Sequence, residues 1–520
     1  MEDFAQLMEI YDFIVVGAGT AGLPCAIFGA KAGARVLVVE KESQVGGTLH
    51  VSGGHMSAAG TKRQKERGIE DSTEAHFNDI QRISNHTVRE DLVRLALSHS
   101  AWLIDWLQEE GFEFAPDSPR IVYGHEPYSV PRTYYGVDEA RSVLKVLSRV
   151  AQPLIDSGAI TLALNAKVKA LLTDMGRVVG VQFAQGGQVK TARAKRGVVL
   201  ATGGFASSPE LFREIEGFPL VSAARDHSTG DGLLMARGLG AHIAGQGSYL
   251  PTFGGLPHPD DPHKAFWADR PLLIAKERPP YEIYVDRFGK RWIAEDDESI
   301  DHKERALMKT DGLTFFTVFD EQAVEMSENI IVGWSKSDLR ERAGHREGVH
   351  VAPTIPELAR LAGIDEEGLL VSVARYNGFV RDRFDPDFGR KFLPALIEKP
   401  PFYAMRNHGI SLITFSGVDV DASLRVRRED GSTIEGLYAA GEILGAGATC
   451  GNSFCGGMVL GPAMIFGRLI GERLAIPDDV VDGPTAEVPR PDGEVTPTAE
   501  VERPRDLDGG ATGEIPRPKF

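Results

Sequence analysis

The chain has 520 residues, with 57 Lys and Arg against 74 Asp and Glu, which gives a formal net charge of −17. This acidic balance argues against nucleic-acid binding, which needs a basic patch. No window approaches the ~18 consecutive apolar residues of a membrane span, and the acidic N-terminus lacks the basic region of a secretory signal. The three cysteines have no CxxC spacing, so we expect no metal site and a cytoplasmic location.

The N-terminal segment has the pattern of a β-α-β unit. Residues 11–16 form an apolar run that is typical of a buried parallel strand, and residues 35–39 form a second one. An Ala-rich stretch that ends near Lys31 lies between them and predicts a helix. The segment therefore predicts a Rossmann-like α/β domain.

A GxGxxG motif, residues 17–22, joins the first strand to the helix. In such a motif Gly17 permits the sharp turn, Gly19 lets a pyrophosphate approach the backbone, and Gly22 allows close helix packing. Glu40 follows the second strand, where it can accept hydrogen bonds from an adenosine ribose and leaves little room for the 2′-phosphate of NADP. We predict that this unit binds a dinucleotide.

Elements further along the chain indicate FAD rather than NAD. Glycine-rich loops at residues 46–54 follow the first unit, strand-turn patterns end at Gly203 and Glu442, and residues 456–457 lead into a C-terminal helix. Several loops that close over one cofactor fit a long dinucleotide whose redox ring lies far from its adenine.

Thr87 and Glu90 have capping-box spacing, which predicts that an amphipathic helix begins there.

The middle and the end of the chain differ from this pattern. Residues 250–400 are rich in Pro, Trp, Tyr and charge, and we interpret them as an inserted capping domain. From Pro477 onward the chain carries three related Pro- and Glu-containing octads and a single aromatic residue. We expect residues 477–520 to be disordered, because this composition cannot bury enough apolar surface.

At these motifs the chain resembles the flavoprotein family of fumarate reductase, succinate dehydrogenase and 3-ketosteroid dehydrogenases, from about residue 11 to residue 474. The resemblance implies an α/β protein with an α+β cap: an FAD-binding domain (8–249 and 401–476), a capping domain (250–400) and an active site between them. It also implies non-covalent FAD, because Gly47 stands where membrane-bound relatives carry a flavin-linked histidine. The predicted FAD contacts are Gly17, Gly19, Ala21, Gly22, Glu40, Lys41, Gly46, Gly47, Thr48, Ser52, Gly53, Gly54, Val168, Thr202, Gly203, Asp231, Glu442, Gly456, Gly457, Val459 and Leu460.

The sequence departs from the fumarate reductase pattern at the dicarboxylate-binding positions. Leu250, Ile413 and Phe454 replace two histidines and an arginine, and no arginine follows Glu295. A buried carboxylate without charged donors costs several kcal/mol, so these departures argue against fumarate or succinate. With Phe415 and Ser453 the three residues form the predicted substrate pocket, whose apolar wall suits a hydrophobic ketone.

The resemblance therefore points to the ketosteroid dehydrogenase branch, whose chemistry is α,β-dehydrogenation beside a ketone or its reverse. The tyrosine positions of that branch hold Ser453 and Ser299, so we predict Tyr134, Tyr135 and His302 as replacement catalytic residues. For each of these three the alternative is a structural or surface role. Arg291 is interpreted as an ion-pair residue.

Two other functions stay open at this stage. One is an enoate or fumarate-type reductase in which Arg132, Arg406 or His408 clamps the carboxylate. The other is a flavin-binding protein without catalysis. In the enzymatic cases we expect a small hydrophobic substrate and a diffusible electron donor or acceptor, since the chain has no haem or iron–sulfur ligands. The sequence gives no indication of the oligomeric state.

Overall fold

The computed structural model describes residues 9–477. The predicted tail beyond Pro477 lies outside the described residues. The strands are β1 (Glu9–Val16), β2 (Val36–Val39), β3 (Met56–Ser57), β4 (Thr133–Tyr134), β5 (Ile160–Ala163), β6 (Ala166–Asp174), β7 (Arg177–Gln185), β8 (Gln188–Leu200), β9 (Ile243–Ala244), β10 (Thr252–Phe253), β11 (Ile283–Val285), β12 (Thr314–Asp320), β13 (Val349–Ala352), β14 (Phe402–Ile410), β15 (Gly417–Val418), β16 (Arg425–Arg427) and β17 (Thr433–Ala439). The helices are α1 (Gly22–Lys31), α2 (Lys62–Glu66), α3 (Thr73–Ile83), α4 (Glu90–Glu109), α5 (Glu139–Asp156), α6 (Pro209–Glu216), α7 (Asp231–Gly238), α8 (Ile300–Leu307), α9 (Glu321–Met326), α10 (Lys336–Arg342), α11 (Ile355–Ala362), α12 (Glu366–Asp382), α13 (Gly447–Cys450) and α14 (Leu460–Ala475).

The larger sheet is built around β1, which pairs in parallel with β2 on one side and β8 on the other. Its strand order is β16-β17-β8-β1-β2-β5, and β6 and β7 extend it from β8. Residues 13–16 of β1 and all of β2 are apolar and buried, because both faces of the sheet are covered there, as is typical of parallel sheets. The predicted α/β fold is confirmed, and the sheet places the carboxyl ends of β1, β2, β8 and β17 at one edge.

Helices α1 and α14 pack against each other through backbone atoms. A Cβ atom added at Gly467 would lie 2.1 Å from the carbonyl oxygen of Ala21, and one added at Gly471 would lie 2.1 Å from that of Cys25. Glycine is therefore required at both positions for the two helix axes to approach this closely. The contact fixes the C-terminal helix beside the first helix of the chain.

A second sheet is antiparallel and has the order β10-β14-β12-β11, with β13 also paired to β14. Its strands lie between residues 252 and 410, so the sheet extends beyond the range 250–400 that the composition indicated. Side chains alternate along β12: Phe315 packs toward α8, whereas Phe316 packs toward α11 and α12. The alternation has the period of two that a sheet covered on both faces requires.

A buried charge cluster holds the second sheet to the segments around it. Glu295 accepts hydrogen bonds from Arg291 at 2.8 and 2.7 Å and from Arg390 at 2.9 Å, and Arg291 also pairs with Asp385 at 2.9 Å. Burial disfavours the Glu295 carboxylate, but the two guanidinium groups hold its pKa below the usual value. The prediction of an ion-pair role for Arg291 is confirmed.

The predicted capping box is wrong. Helix α4 begins at Glu90, its N-cap is Arg89, and no side chain caps it. The Thr87 hydroxyl instead donates to the carbonyl oxygen of Ser84 at 2.6 Å. A tertiary contact explains why Thr87 does not cap the helix: its Oγ1 accepts from the backbone amide of Asn452, which holds the C-terminal loop here.

Among residues 9–477, no helix is both long and apolar enough to cross a membrane.

We expect Glu295→Ala to lower the free energy of unfolding by about 3–5 kcal/mol, because it leaves two buried guanidinium groups without their shared counter-charge. Urea unfolding monitored by tryptophan fluorescence measures the change. The control is Glu325→Ala on α9, whose exposed carboxylate pairs with Arg340 and is worth less than about 1 kcal/mol. Equal effects of the two substitutions would contradict the structural role of the cluster.

Candidate flavin and substrate site

The turn between β1 and α1 is shaped by its glycines. Gly17 has φ +101°, and an added Cβ would lie 2.3 Å from the carbonyl oxygen of Ala201 at the end of β8. A Cβ at Gly22 would lie 1.8 Å from the carbonyl oxygen of Gly17. Both positions therefore exclude any larger residue. Helix α1 begins at Gly22, so the free amide groups of the turn point toward the edge of the sheet.

The Glu40 carboxylate stabilises this turn through hydrogen bonds to the backbone. One oxygen accepts from the backbone amide of Ala18 at 2.7 Å, and the other accepts from that of Glu42 at 2.8 Å. Each carboxylate oxygen has a second lone pair, so the group can still accept from a ribose hydroxyl. Glu40 thus connects the end of β2 to the glycine-rich turn and also faces the open cleft beside it.

A cleft with about 840 Å³ of empty space opens at the carboxyl edge of the large sheet. The structure brings twelve of the predicted FAD contacts together along it: Gly17, Gly19, Ala21, Glu40, Lys41, Gly47, Thr48, Val168, Thr202, Gly203, Asp231 and Glu442. It adds lining residues that were not among the predicted contacts, namely Val16, Thr20, Val39, Ala166, Lys167, Ala201, His227, Ser228, Met235, Ala440 and Gly441.

The residues of the cleft fit FAD. A Cβ added at Gly19 would meet only the Gly47 Cα, at 4.0 Å, and one added at Gly203 would meet nothing within 4 Å. The backbone at these glycines is therefore open to a ligand, as close approach of a pyrophosphate requires. The buried hydroxyl of Thr202 lacks a partner among the described residues, which fits a polar ligand group beside it.

Asp231 lies at the cleft between two lysines. Lys41 Nζ donates to its carboxylate at 2.9 Å and to Thr229 at 2.9 Å, and Lys167 Nζ lies 3.1 Å away. Burial opposes ionisation, but these ammonium groups hold the pKa of Asp231 below its usual value. The network connects α7 to the loop after β2.

Glu442 lines the same cleft but has no counter-charge in the described part of the chain. Its carboxyl accepts from the Thr414 backbone amide at 3.3 Å, and it lies so close to Gly204 that a Cβ there would be 2.5 Å away. Burial raises the pKa of Glu442 to about 7. Near neutral pH this carboxyl can therefore act as a hydrogen-bond donor or as an acceptor toward a bound cofactor.

The other predicted FAD contacts lie outside the cleft lining. A Cβ at Gly54 would lie 2.5 Å from the backbone nitrogen of Ala140, and one at Gly457 would lie 2.4 Å from that of Ser57. These glycines therefore pack loops against α5 and β3. Gly456 accepts a hydrogen bond from Tyr128 at 2.6 Å through its carbonyl oxygen. The members of this group are Gly22, Gly46, Ser52, Gly53, Gly54, Gly456, Gly457, Val459 and Leu460.

The predicted substrate-pocket residues include four apolar side chains that belong to the core of the large sheet or pack against it. Leu250 and Phe415 are buried, and Ile413 and Phe454 are partly buried against the same core. The Phe454 ring lies 6.2 Å from the Phe415 ring, edge to face. Ser453 donates to Asp301 on α8 at 2.5 Å. Four of the five predicted pocket residues are therefore apolar, and the fifth, Ser453, is hydrogen-bonded to α8.

The three predicted catalytic side chains do not converge on one site. The Tyr134 ring is fully buried, and its hydroxyl bonds Thr61 at 2.6 Å. Tyr135 donates to Asp117 at 2.5 Å in an exposed pair. His302 bonds Asp297 and lines a separate cleft beside Trp292. Each of the three groups therefore has its own local partner, and their catalytic role stays a prediction.

A loop at residues 124–128 packs against Phe454. Sequence patterns did not indicate this contact. The His125 ring stacks on Phe454 at 4.2 Å, and its Nδ1 is buried without a partner in the described residues. Burial lowers the pKa of His125 to about 3, with a smaller contribution from His55, so the imidazole is neutral at pH 7. The Tyr128–Gly456 bond joins positions 328 residues apart, and no local motif marks such a contact.

We expect Gly19→Ala to fold but to bind FAD at least about tenfold more weakly, because its methyl group has room in the protein yet occupies the approach of the pyrophosphate. Titration of apoprotein with FAD, followed by flavin fluorescence, gives the Kd. The control is Gly378→Ala in α12, where an added Cβ meets nothing within 4 Å. An unchanged Kd for Gly19→Ala would contradict this assignment of the cleft.

Comparison with known proteins agrees with this geometry. A family model described as an FAD binding domain matches residues 12–459. A fumarate reductase (cytochrome) of Shewanella frigidimarina is 30% identical over 482 residues, which cover 90% of this chain and 77% of that protein. The 4-oxocyclohexanecarboxylate 2-dehydrogenase of Sinomonas cyclohexanicum is 27% identical, covering 89% of this chain and 93% of that protein.

The fold is also found in solved structures. The 3-ketosteroid delta1-dehydrogenase from Sterolibacterium denitrificans, in complex with 1,4-androstadiene-3,17-dione, superposes with a TM-score of 0.73. Its identity is 22%, and the match covers 90% of this chain and 99% of that one. At this identity the likeness shows the fold alone. Through the family match over residues 12–459, the chain belongs to the FAD-binding flavoprotein family of fumarate reductases, succinate dehydrogenases and 3-ketosteroid dehydrogenases, and it is an FAD-dependent oxidoreductase.

Proposed function

We propose that this oxidoreductase carries out α,β-dehydrogenation of an uncharged hydrophobic cyclic ketone, steroid-like in shape, or the reverse reduction of the enone. The observation that carries the proposal is the apolar character of Leu250, Ile413, Phe415 and Phe454. The histidine that stacks on Phe454, His125, is kept neutral by burial. An apolar wall with a few polar groups at its edge suits a ligand that is mostly hydrocarbon.

Charge on the facing helix supports a neutral substrate. Helix α8 presents Asp301 to the C-terminal loop, and Glu126 reaches the start of the same helix by accepting from Ser299. Asp301 is paired with Arg305, so the Glu126 carboxylate is the group that repels a dicarboxylate, whereas a ketone carries no charge for it to repel. The sites of enzymes that bind dicarboxylates need charge-assisted donors instead.

The chemistry divides between the cofactor and the chain. FAD, when bound, supplies an acceptor for the hydride and its electron pair. The chain supplies a dry apolar surface that positions the substrate and keeps water from the reacting carbons.

We further propose that FAD is bound without a covalent bond. His50, the histidine nearest to Gly47, is engaged with the carbonyl oxygen of Val45 at 2.9 Å. A diffusible partner then exchanges electrons with the flavin.

The candidate carboxylate clamps of the alternative function have other partners. The guanidinium group of Arg132 is fully buried between Asp71 at 2.7 Å and Asp79 at 2.8 Å. Arg406 pairs with Glu347. His408 bonds Thr314 at 3.0 Å. A fumarate-type reductase remains the second candidate because relatives at 30% identity carry that name, and the experiment below separates the two.

We expect 4-androstene-3,17-dione to bleach the oxidised flavin band of the anaerobic holoenzyme and to yield a product with one more carbon–carbon double bond. A matched pair of small ketones tests the charge argument. The neutral 4-methylcyclohexanone should reduce the flavin at least about tenfold faster than 4-oxocyclohexanecarboxylate, because the second compound brings a carboxylate to a wall without cations. Stopped-flow absorbance of the flavin gives both rates.

The opposite pattern would reject the proposal. If no ketone bleaches the flavin, while fumarate reoxidises the dithionite-reduced enzyme, then the substrate is an enoate. A preference for 4-oxocyclohexanecarboxylate over its methyl analogue would show that an unrecognised cation serves the pocket.

A further inference from the structure

Two of the three cysteines, Cys450 and Cys455, face each other at the ends of the segment that carries Phe454. Cys450 is the last residue of α13, and Cys455 directly follows Phe454. The Sγ atom of Cys450 lies 3.8 Å from the carbonyl oxygen of Cys455, and the Sγ atom of Cys455 lies 3.8 Å from that of Cys450. Both thiols are free, and both residues are 0% exposed. The fold therefore holds two reduced sulfur atoms side by side in its interior.

The residues between the two cysteines are attached to α8. The Ser453 hydroxyl donates to Asp301 at 2.5 Å, and Arg305 donates to the carbonyl oxygen of Asn452 at 2.7 Å. Ser453 and Phe454 are both predicted pocket residues. A chemical change at the cysteines therefore acts on a short segment whose middle is fixed to the neighbouring helix.

The two thiols differ in acidity. Each is a side-chain hydrogen-bond partner of the other. This bond lowers the pKa of Cys450 against the effect of burial, whereas the same bond together with burial raises the pKa of Cys455 well above its usual value. The thiolate is the form of cysteine that reacts with oxidants, so Cys450 is the more reactive of the two. Because both sulfur atoms are buried, the oxidant must be as small as hydrogen peroxide.

We infer that Cys450 and Cys455 are a modification site, at which a peroxide forms a reversible disulfide. The Cys450 thiolate attacks one oxygen of hydrogen peroxide, the O–O bond breaks, and the sulfur becomes a sulfenic acid. The hydroxide that leaves takes up the Cys450 proton as water. The Cys455 sulfur then attacks the sulfenic sulfur, the S–S bond forms, and the S–O bond breaks. The second hydroxide leaves with the Cys455 proton as water, so the two sulfurs lose two electrons and the peroxide gains them.

The disulfide changes the segment between the cysteines. It brings the two sulfur atoms to about 2.05 Å, closer than two unbonded sulfurs approach. The chain after Cys455 is held by the hydrogen bond of 2.6 Å from Tyr128 to the carbonyl oxygen of Gly456. The approach of the sulfurs must therefore be taken up between residues 450 and 455, and it displaces Ser453 and Phe454 relative to α8.

The first test detects the bond by mass. Both cysteines lie in one tryptic peptide, residues 429–468, because no Lys or Arg stands between Arg428 and Arg468. After treatment of the holoenzyme with hydrogen peroxide, denaturation and N-ethylmaleimide, this peptide should have lost two hydrogens and carry no maleimide. Dithiothreitol before the maleimide should restore two labelled thiols, because thiol–disulfide exchange reverses the bond. A peptide that keeps both thiols, or that carries sulfinic acid instead of the bond, would overturn the inference.

Single variants test the role of each thiol. In Cys455→Ser the reaction should stop at the sulfenic acid of Cys450, which dimedone traps, whereas in Cys450→Ser dimedone should trap at least about tenfold less at Cys455. The control is Cys25→Ser, because Cys25 is buried in α1 and burial alone raises its pKa. This variant should form the disulfide as the wild type does. Equal trapping in the two single variants would contradict the order of attack, and a disulfide lost in the control would contradict the choice of the pair.

The effect on the pocket rests on the function proposed above. Flavin reduction by 4-androstene-3,17-dione should be at least about tenfold slower in the oxidised wild type, because a displacement of about 1 Å can cost about 100-fold in rate. Dithiothreitol should restore the rate, and peroxide should leave the rate of Cys455→Ser within about twofold of the value before treatment once the sulfenic acid is reduced. An unchanged rate in protein that carries the bond would overturn the effect on the pocket. If the ketone does not reduce the flavin of the untreated wild type, the proposed function falls, while the peptide mass still decides whether the disulfide forms.

Discussion

The backbone contact between α1 and α14 is the constraint on which the site depends. Because Gly467 and Gly471 let α14 lie directly on α1, the C-terminal loop is fixed beside the glycine-rich turn from the start of the chain. Residues more than 400 positions apart thus line one cleft, with Gly19 on one side and Glu442 on the other. A larger residue at either glycine separates the helices, and the cleft then loses one of its walls.

The same loop also determines what the substrate meets. It carries Phe454 into the pocket wall and, through Ser453 and Asn452, fixes α8 opposite that wall. In the function that we propose, the apolar groups at these positions disfavour a dicarboxylate, which needs charge-assisted donors.

Local patterns were enough to predict the dinucleotide unit. The strand predicted at residues 11–16 lies within β1 (Glu9–Val16), and the helix ends at Lys31 as expected. Twelve predicted FAD contacts meet in one cleft. Gly17, Gly19, Ala21, Glu40 and Lys41 follow from the β-α-β geometry, whereas the later contacts came from other glycine-rich loops and the family resemblance. The catalytic residues could not be predicted in this way. Tyr134 is a residue type that suits the chemistry, but its hydroxyl is taken by Thr61, and only the tertiary structure shows that pairing. The capping box at Thr87 failed for the same reason.

The carboxyl groups with shifted pKa values in the interior of this protein include two contrasting kinds. Glu295 and Asp231 have cationic partners and lowered pKa values, so each stabilises the fold above its usual pKa, and that contribution is lost as pH falls. Glu442 and Glu304 have backbone donors and raised pKa values, so each lowers stability as pH rises through the range where only the unfolded chain ionises. Glu442 is the member of the second kind that lines the FAD cleft, so its carboxyl is the one available to a ligand there.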